Sequence, residues 1–422
     1  MAVSTPPGPL TATTAIRLGR AHRRAGVRLR REAFGALAYV PDLDRFFALD
    51  VAAADLVESL AAGRPVDDRE WSTVVRLARA GIVDTQPVTE CSPGSGRSLI
   101  GSGLPDLPEP AEPMVVNCFV TAHCPLRCRY CHADDLMQPF RTEESDSDLE
   151  RVTATAAAIP AMVAVITGGD PIVSPDRAAR LIAGLAPEKA IVVDTSGAGD
   201  IVPLLPVLKE HHGHLRVSVD SAEAALHDRV RPINRRYLGR DTSSHAAALS
   251  TVERAVAADV PTTVQTVVSR TNEDEVLLMS LAYRLRDAGA RNWVLHVAVP
   301  AGKAAVARNR RVLPTGGVSD VLSTVKRRIE AELIGLRVRV TATHANPDAV
   351  VLVGSRGDVY VQTGTAGKLR VAAAGMGRDH LAEVFRTGVD LRAHADRYLG
   401  GTAPFAGEPD QVSAGAEAAE AT

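Results

Sequence analysis

Three cysteines, Cys124, Cys128 and Cys131, lie in one short stretch with the spacing Cys-x3-Cys-x2-Cys. Three thiolates from one loop can bind three irons of a cubane iron–sulfur cluster and leave the fourth iron without a protein ligand. A small molecule can bind at that open iron and react there. The spacing therefore predicts one [4Fe–4S] cluster with catalytic chemistry at its open iron.

The whole chain holds five cysteines, an odd number that is too small for a disulfide scaffold in 422 residues. Clustered cysteines in a reducing compartment indicate metal ligation instead. A zinc site is the alternative to an iron–sulfur cluster, and it requires four ligands. Candidates for its fourth ligand are Cys118, His123 and His132.

The cysteine loop follows an apolar, strand-like run and carries Tyr130 directly before its third cysteine. This arrangement closely resembles the signature of the radical S-adenosylmethionine (radical SAM) superfamily. The resemblance implies that S-adenosylmethionine chelates the open iron and is cleaved reductively to a 5′-deoxyadenosyl radical. It also implies that Tyr130 lies near the adenine.

A second motif, Gly168-Gly169-Asp170-Pro171, ends the next strand-like run and resembles the Gly-Gly-Glu-Pro loop of that family. Glycines allow a backbone to approach a ligand closely, and the exposed carbonyls can accept hydrogen bonds from the methionine ammonium. Asp stands where the family has Glu, which leaves the role of the side chain at 170 open.

Further polar residues follow at the ends of later strand-like runs. The resemblance suggests a cofactor contact in the turn at Ser196, a hydroxyl contact to methionine or ribose from Ser218, and a salt bridge to a carboxylate from Arg231. Each of these residues also fits an ordinary capping or surface role. Candidate substrate contacts are Asp220, Gln265 and His296.

The elements that must position these residues alternate between apolar strand-like runs and helical segments. Six β/α units over residues 114–310 predict an α/β fold, a partial (β/α)6 TIM-type barrel. Ligands collect at the carboxyl ends of the strands in such barrels, where both motifs fall.

Residues 27–86 predict a winged-helix-like domain of short strands followed by two helices. This stretch resembles the PqqD-like peptide-recognition module, also called the RiPP recognition element. The resemblance implies that a precursor's leader peptide binds as an added strand on an exposed sheet edge. Winged helices also bind DNA, so a metal-containing regulator is an alternative.

Residues 311–400 predict a small α/β extension that looks like the SPASM extension of peptide-modifying radical enzymes. No cysteine follows Cys131, so auxiliary clusters are not expected. Single-cluster, redox-neutral chemistry such as epimerisation is favoured, and Cys91 or Cys118 are candidate hydrogen-atom donors. The same radical SAM chemistry on a small molecule, such as an amino acid or a sugar, is the alternative to peptide modification.

The remaining segments are read as connections: a mobile arm at 1–26, a Pro-rich linker at 87–113 and a disordered tail at 401–422. The formal net charge of −2, from 48 Lys and Arg against 50 Asp and Glu, gives no field for nucleic acid or an anionic membrane. A cytoplasmic enzyme is expected, with a precursor peptide and a flavodoxin or ferredoxin reductant as partners.

Overall fold

The structure is a computed structural model that describes residues 21–85, 99–100, 108–138, 144–235, 242–333, 335–341, 349–363 and 367–400. Most of the predicted arm, Cys91 with most of the linker, and the predicted tail lie outside these residues.

The N-terminal module contains two small sheets and two helices. Its elements are β1 (Ala21–Arg23), β2 (Arg28–Glu32), β3 (Gly35–Val40), β4 (Arg45–Asp50), α1 (Val51–Ala61), α2 (Trp71–Arg79), β5 (Val83–Thr85) and β6 (Leu99–Ile100). Both predicted helices are confirmed, and the Asp50 side chain caps α1 by accepting a hydrogen bond from the Ala53 amide. β1 corrects the predicted arm, because it pairs with β5 far along the chain.

The larger sheet of the module has the order β2-β3-β4-β6. β6 comes from the predicted linker and pairs in parallel with β4, with Ala48 opposite Leu99 and Leu49 opposite Ile100. Ile100 is 4% exposed and belongs to the module core. The edge of β4 is therefore covered by the chain itself.

The central part of the chain alternates strands and helices. Its elements are β7 (Val115–Thr121), α3 (Asp146–Ala158), β8 (Val163–Gly168), α4 (Pro175–Leu185), β9 (Ala190–Thr195), α5 (Leu205–Glu210), β10 (His214–Ser218), α6 (Ala224–Val230), α7 (Ser244–Ala257), β11 (Thr262–Val268), α8 (Glu275–Asp287), β12 (Asn292–Val297), α9 (Val318–Glu332) and β13 (Arg337–Thr341). The C-terminal elements are β14 (Val351–Val353), β15 (Val359–Thr363), β16 (Gly367–Ala372), α10 (Arg378–Gly388) and α11 (Leu391–Ala395).

All these strands join one ten-stranded sheet in the order β13-β12-β11-β10-β9-β8-β7-β14-β15-β16. The strands from β13 to β14 are parallel, so the predicted central parallel sheet is confirmed. Residues 311–400 were predicted to form a separate extension, but their strands belong to the same sheet. β13 continues the β/α alternation beside β12, and β14 adds beside β7, so residues 311–400 extend the central sheet at both edges.

The two faces of the central sheet are chemically different because alternate residues of a strand point to opposite sides. One face packs apolar side chains against the helices, and this core includes Val116, Cys118 and Val120 of β7. Intervening residues such as Asn117 and Phe119 line an internal cavity of about 270 Å³, which we call the chamber. The sheet thus separates a dry core from a polar chamber.

The N-terminal module covers the end of the chamber near the beginnings of the strands. Leu37, Tyr39 and Phe46 of the module pack against Met114 and Met162, which directly precede β7 and β8. This contact leaves the carboxyl ends of the strands on the other side, where both sequence motifs lie. Among the described residues, no helix is long and apolar enough to cross a bilayer.

Candidate active site

The cysteine loop follows β7 and holds three half-buried cysteines, Cys124, Cys128 and Cys131. Burial raises the pKa of each thiol, to about 11 for Cys128, and the neighbouring thiols add to the effect on Cys124. No group of three His, Cys, Asp or Glu side chains in the described ranges is arranged around a single metal ion.

Three thiols are a suitable donor set for an iron–sulfur cubane, in which each thiolate binds a different iron. Such thiolates need not converge on one point, as the ligands of a zinc ion must. The amide of Leu126 already donates a hydrogen bond to the Cys124 sulfur at 3.4 Å. The cysteine loop therefore fits a cluster, and metal binding would displace the thiol protons.

The segment after α6 holds the cysteine loop by backbone pairing. The Arg127 amide donates to the Pro232 carbonyl at 2.8 Å, and the Arg129 amide donates to the Val230 carbonyl at 3.0 Å. These bonds bracket Cys128 on both sides. A segment about one hundred residues further along the chain therefore fixes the position of Cys128.

The segment after β12 makes a second clamp that the sequence motifs did not indicate. The Lys303 amide donates to the Cys131 carbonyl at 2.9 Å, and its ammonium lies 3.0 Å from an Asp134 carboxylate oxygen. A Cβ on Gly302, whose φ is +54°, would lie 2.3 Å from the Cys131 carbonyl oxygen. Lys368 of β16 adds a third contact by donating to the His132 carbonyl at 2.7 Å.

Gly168 and Gly169 lie against the start of the cysteine loop. A Cβ on Gly168 would be 2.2 Å from the Thr121 carbonyl oxygen, and one on Gly169 would be 1.8 Å from that of His123. The Gly169 amide donates to the Thr121 carbonyl at 2.8 Å. The close approach that requires glycine is therefore to the chain's own backbone, whereas the sequence predicted an approach to a ligand.

Asp170 ties the end of β8 to the end of β9. Its buried carboxylate accepts hydrogen bonds from the Thr195 hydroxyl at 2.6 Å and from the Ser196 amide at 2.9 Å, and the Ser196 hydroxyl also donates to it. Burial raises the pKa of Asp170 despite these donors. The Asp side chain in the Gly-Gly-Asp-Pro turn, like Ser196, thus has a positioning role in this structure.

Tyr130, Asp220 and Arg231 form one buried network beside the cysteine loop. Arg231 Nε donates to Asp220 at 2.8 Å, the Tyr130 hydroxyl donates to the same carboxylate, and the Val267 amide donates to its other oxygen at 2.9 Å. Burial alone would raise the pKa of Asp220, but the Arg231 guanidinium lowers it below the usual value. The guanidinium carbon also lies 5.4 Å from the centre of the Tyr130 ring.

This network differs from the sequence expectation for two of its members. Arg231 was expected to pair with a ligand carboxylate, but in the structure its partner is Asp220. Asp220 was expected to face the cavity, but its acceptor oxygens are directed to Arg231, Tyr130 and Val267, and it does not line the chamber. Both residues hold the cysteine loop in place.

Gln265 and His296 line the chamber, as the sequence predicted for them. Ser218 lies two residues after the chamber residue Arg216 on β10, so it shares the same face of the sheet, and it stands opposite Gln265 in the register. Cys118 faces the other way. It is fully buried in the apolar core, and burial raises the pKa of its thiol to about 12, so it cannot reach a radical in the chamber.

The floor of the chamber is a buried ion pair between the two domains. Asp44 of the N-terminal module accepts hydrogen bonds from Arg216 Nε and Nη2, each at 2.7 Å, and from the Tyr39 hydroxyl at 3.0 Å. Nearby, the His214 ring is 2.5 Å from the Pro41 carbonyl oxygen. The sequence analysis missed Asp44, because an Asp in a surface-like turn gives no sign of a distant partner.

Comparison with known proteins agrees with the geometry of the cysteine loop. Residues 118–282 match the family model described as Radical SAM superfamily. The chain is 31% identical over 186 residues to the PqqA peptide cyclase of Methylobacterium sp. (strain 4-46), and 32% identical over 186 residues to that of Methylobacterium nodulans. Each match covers 43% of this chain and 45% of the relative, so the matched region spans less than half of either relative's length.

Solved structures resemble a larger part of the chain. Streptococcus suis SuiB bound to S-adenosylmethionine has a TM-score of 0.52 at 11% identity, over 80% of this chain and 82% of that one. SuiB bound to the precursor peptide SuiA has a TM-score of 0.51 at 10% identity with the same coverage. At such low identity the likeness concerns the fold alone. At the level of sequence, the similarity to the Radical SAM superfamily model covers residues 118–282.

Proposed function

We propose that this chain is a radical SAM enzyme that modifies a ribosomally made precursor peptide in the cytoplasm. The observation that carries the proposal is the cysteine loop, which three distant segments hold beside a polar chamber. The sequence match to PqqA peptide cyclases and the fold shared with SuiB support a peptide as the substrate.

In this proposal Cys124, Cys128 and Cys131 hold one [4Fe–4S] cluster. Reduced by flavodoxin or ferredoxin and loaded with S-adenosylmethionine, such a cluster would supply 5′-deoxyadenosyl-radical chemistry for hydrogen-atom abstraction from a residue of the peptide. Gly168, Gly169 and Ser218 lie at the strand ends beside the loop, where cofactor contacts are expected. The cysteine loop and the strand ends beside it are held in position by Asp170, Ser196, Asp220 and Arg231.

The chamber would exclude water and oxygen from the radical. Its walls come from successive parallel strands, in agreement with a partial barrel, and the N-terminal module closes its floor through Asp44. Gln265 and His296 line the part that the target residue would enter. Since Cys118 faces the core, an epimerising enzyme would have to draw a hydrogen atom from another donor.

The N-terminal module is the proposed leader-binding domain, a winged-helix-like relative of the RiPP recognition element. β6 already occupies the edge of β4, so a leader that adds there must displace a two-residue strand. β2 has β3 as its single strand partner among the described residues and offers a second edge. Residues 311–400 would correspond to a SPASM-like extension that carries no cluster ligands.

The test is anaerobic reconstitution of the full chain with iron and sulfide, followed by reduction in the presence of S-adenosylmethionine. We expect about four irons per chain and release of 5′-deoxyadenosine. Mass spectrometry of a precursor peptide encoded beside the gene, co-expressed with the enzyme, should then show a changed mass. An amino acid or sugar substrate would instead give turnover without any peptide, and a regulator would give no 5′-deoxyadenosine.

A further inference from the structure

The chamber holds more positive than negative side chains. Its lining includes four arginines and two aspartates, namely Arg45, Arg216, Arg339, Arg397, Asp44 and Asp194. Both carboxylate oxygens of Asp44 accept hydrogen bonds from Arg216 in a bidentate ion pair. Arg45, Arg216 and Arg339 are partly buried, whereas Arg397 is exposed. Positive charge that is partly withdrawn from water is costly unless it is paired, so the pairing of each remaining cation is informative.

Arg339 of β13 is only partly paired. Its Nη1 donates to the Asp44 backbone carbonyl at 3.2 Å, and its Nη2 lies 3.7 Å from the Asp44 carboxylate, which Arg216 already holds. Its Nε is buried and has no hydrogen-bond partner among the described residues. An unmatched buried N–H costs about 1–3 kcal/mol, so a ligand that accepts from it binds more tightly.

Arg397 and His296 complete the same wall. Arg397 stacks on Tyr398, with 5.9 Å from its guanidinium carbon to the ring centre, and has no carboxylate partner within the described part of the chain. His296 Nδ1 lies 2.7 Å from the Thr341 hydroxyl, and the ring lines the chamber together with Arg339 and Arg397. Burial, then the positive charges of Arg397 and Arg339, lower the pKa of His296 to about 3, which favours the neutral ring.

We propose that Arg339, Arg397 and His296 form a subsite, the open side of the chamber, that binds a carboxylate of the substrate peptide. The inference rests on the proposed function and specifies which substrates it takes. Guanidinium groups match a carboxylate with paired hydrogen bonds. The carboxylate comes from an acidic side chain or from the peptide's C-terminus.

The cofactor's own carboxylate is a different candidate, but its expected position is at the cysteine loop. That loop follows β7 and is held by Val230 and Pro232 at the end of α6, by Lys303 after β12 and by Lys368 of β16. The cations that act on the Cys128 and Cys131 thiols are Arg231, Lys303 and Lys368. Arg397 acts on the His132 ring of the loop, and it is not among the cations that act on these two thiols. Arg339 and Arg397 come from β13 and the π-helical turn at Asp396–Gly400. The open side is therefore built from other elements of the chain.

The test pans two randomised peptide libraries against anaerobically reconstituted full-length enzyme with S-adenosylmethionine. One library is displayed with a free C-terminus and the other is fused at both ends. In the fused library we expect Asp and Glu to be enriched over Asn and Gln roughly tenfold. This is the gain in affinity expected from about one charge-assisted hydrogen bond. Enrichment confined to free C-termini, without acidic side chains, would assign the site to a terminal carboxylate and also support the inference.

Arg397→Gln, at an exposed position, and the double variant Arg339→Gln/Arg397→Gln should abolish that selection. Arg286→Gln, on the outer surface of α8, is the control with the same loss of charge and should retain it. Equal selection of acidic and amide residues by the unmodified enzyme, or unchanged selection by Arg397→Gln, overturns the inference.

Release of 5′-deoxyadenosine without peptide separates this inference from the proposed function. It should be the same in the unmodified enzyme and in the surface control Arg286→Gln. A loss of release in Arg397→Gln with normal iron content would assign Arg397 to the cofactor and overturn the subsite. An unmodified enzyme that releases no 5′-deoxyadenosine would contradict the proposed function itself.

Discussion

Two regions around the chamber differ in how completely their polar groups are paired. Beside the cysteine loop, Asp170, Asp220 and Arg231 are buried, and their charged groups make short hydrogen bonds to protein partners. On the open side, the buried Arg339 Nε has no hydrogen-bond partner among the described residues. A paired carboxylate–guanidinium network fixes one geometry, whereas an unmatched guanidinium N–H can donate to a ligand, so we treat the first region as a scaffold and the second as the proposed binding surface.

The largest expected effect is on the scaffold, from Gly169→Ala. Its Cβ would overlap the His123 carbonyl oxygen, and backbone atoms cannot move aside as a side chain can. We expect a cost of about 3 kcal/mol or more, displacement of the cysteine loop and loss of iron after reconstitution. Iron content per chain is the measurement. Gly388→Ala, where a Cβ meets nothing within 4 Å, is the control, and equal iron in both variants would refute the packing account.

Asp220→Asn should destabilise the scaffold by about 3 kcal/mol, because it leaves the buried Arg231 without its counter-charge. Chemical unfolding at pH 7 measures the change. Asp287→Asn breaks an exposed pair with Arg286 and should change the free energy of unfolding by less than about 1 kcal/mol. Similar losses in the two variants would mean that the Asp220 network does not hold the loop.

His394 gives a pH test of the packing behind β7. Its Nε2 accepts a hydrogen bond from the Met114 amide at 2.9 Å, so the folded state favours the neutral ring, and burial lowers its pKa from 6.5 to about 4. The stability that the neutral ring contributes is complete above pH 6.5 and is lost as the pH falls towards 4. Between pH 7 and pH 5 we expect a loss of about 2 kcal/mol from this residue.

His394→Gln keeps an acceptor for the Met114 amide but removes the titration. Unfolding experiments at pH 7, 6 and 5 should therefore give a shallower pH dependence for the variant than for the unmodified chain. Parallel curves would show that His394 is not neutral in the folded state.

The smallest effect is expected on the open side. Arg397→Gln should leave the free energy of unfolding unchanged within about 0.5 kcal/mol, because the residue is exposed and has no charged partner among the described residues. The contrast with Asp220→Asn measures the difference between the two regions. A loss as large as that of Asp220→Asn would make Arg397 part of the scaffold.

The sequence predicted the strands and helices of the central sheet because each produces a local pattern. The apolar runs at 190–195 and 262–268 and the helical pattern at 244–257 predict β9, β11 and α7 at these residues. An apolar run or a capped helix needs no distant partner to be recognised. The cysteine loop and the turn at Gly168–Asp170 were found in the same way, from short spacings.

What the sequence missed depends on contacts between distant residues. β6 is two residues long and exists because it pairs with β4. Asp44 meets Arg216, and Lys303 meets the cysteine loop, only after the sheet has formed. Arg231 and Asp220 were singled out from the sequence, but the hydrogen bond between them was not predicted. Short motifs do not show which donors surround a carboxylate in the folded chain.

The central claim is that three thiolates hold a cluster whose open iron binds S-adenosylmethionine. Its most direct test compares Cys124→Ala/Cys128→Ala/Cys131→Ala with Cys118→Ala, a control that removes a core thiol outside the loop. After reconstitution and reduction, the triple variant should lose its iron and release no 5′-deoxyadenosine, while Cys118→Ala retains both. Unchanged iron and 5′-deoxyadenosine in the triple variant would contradict the account.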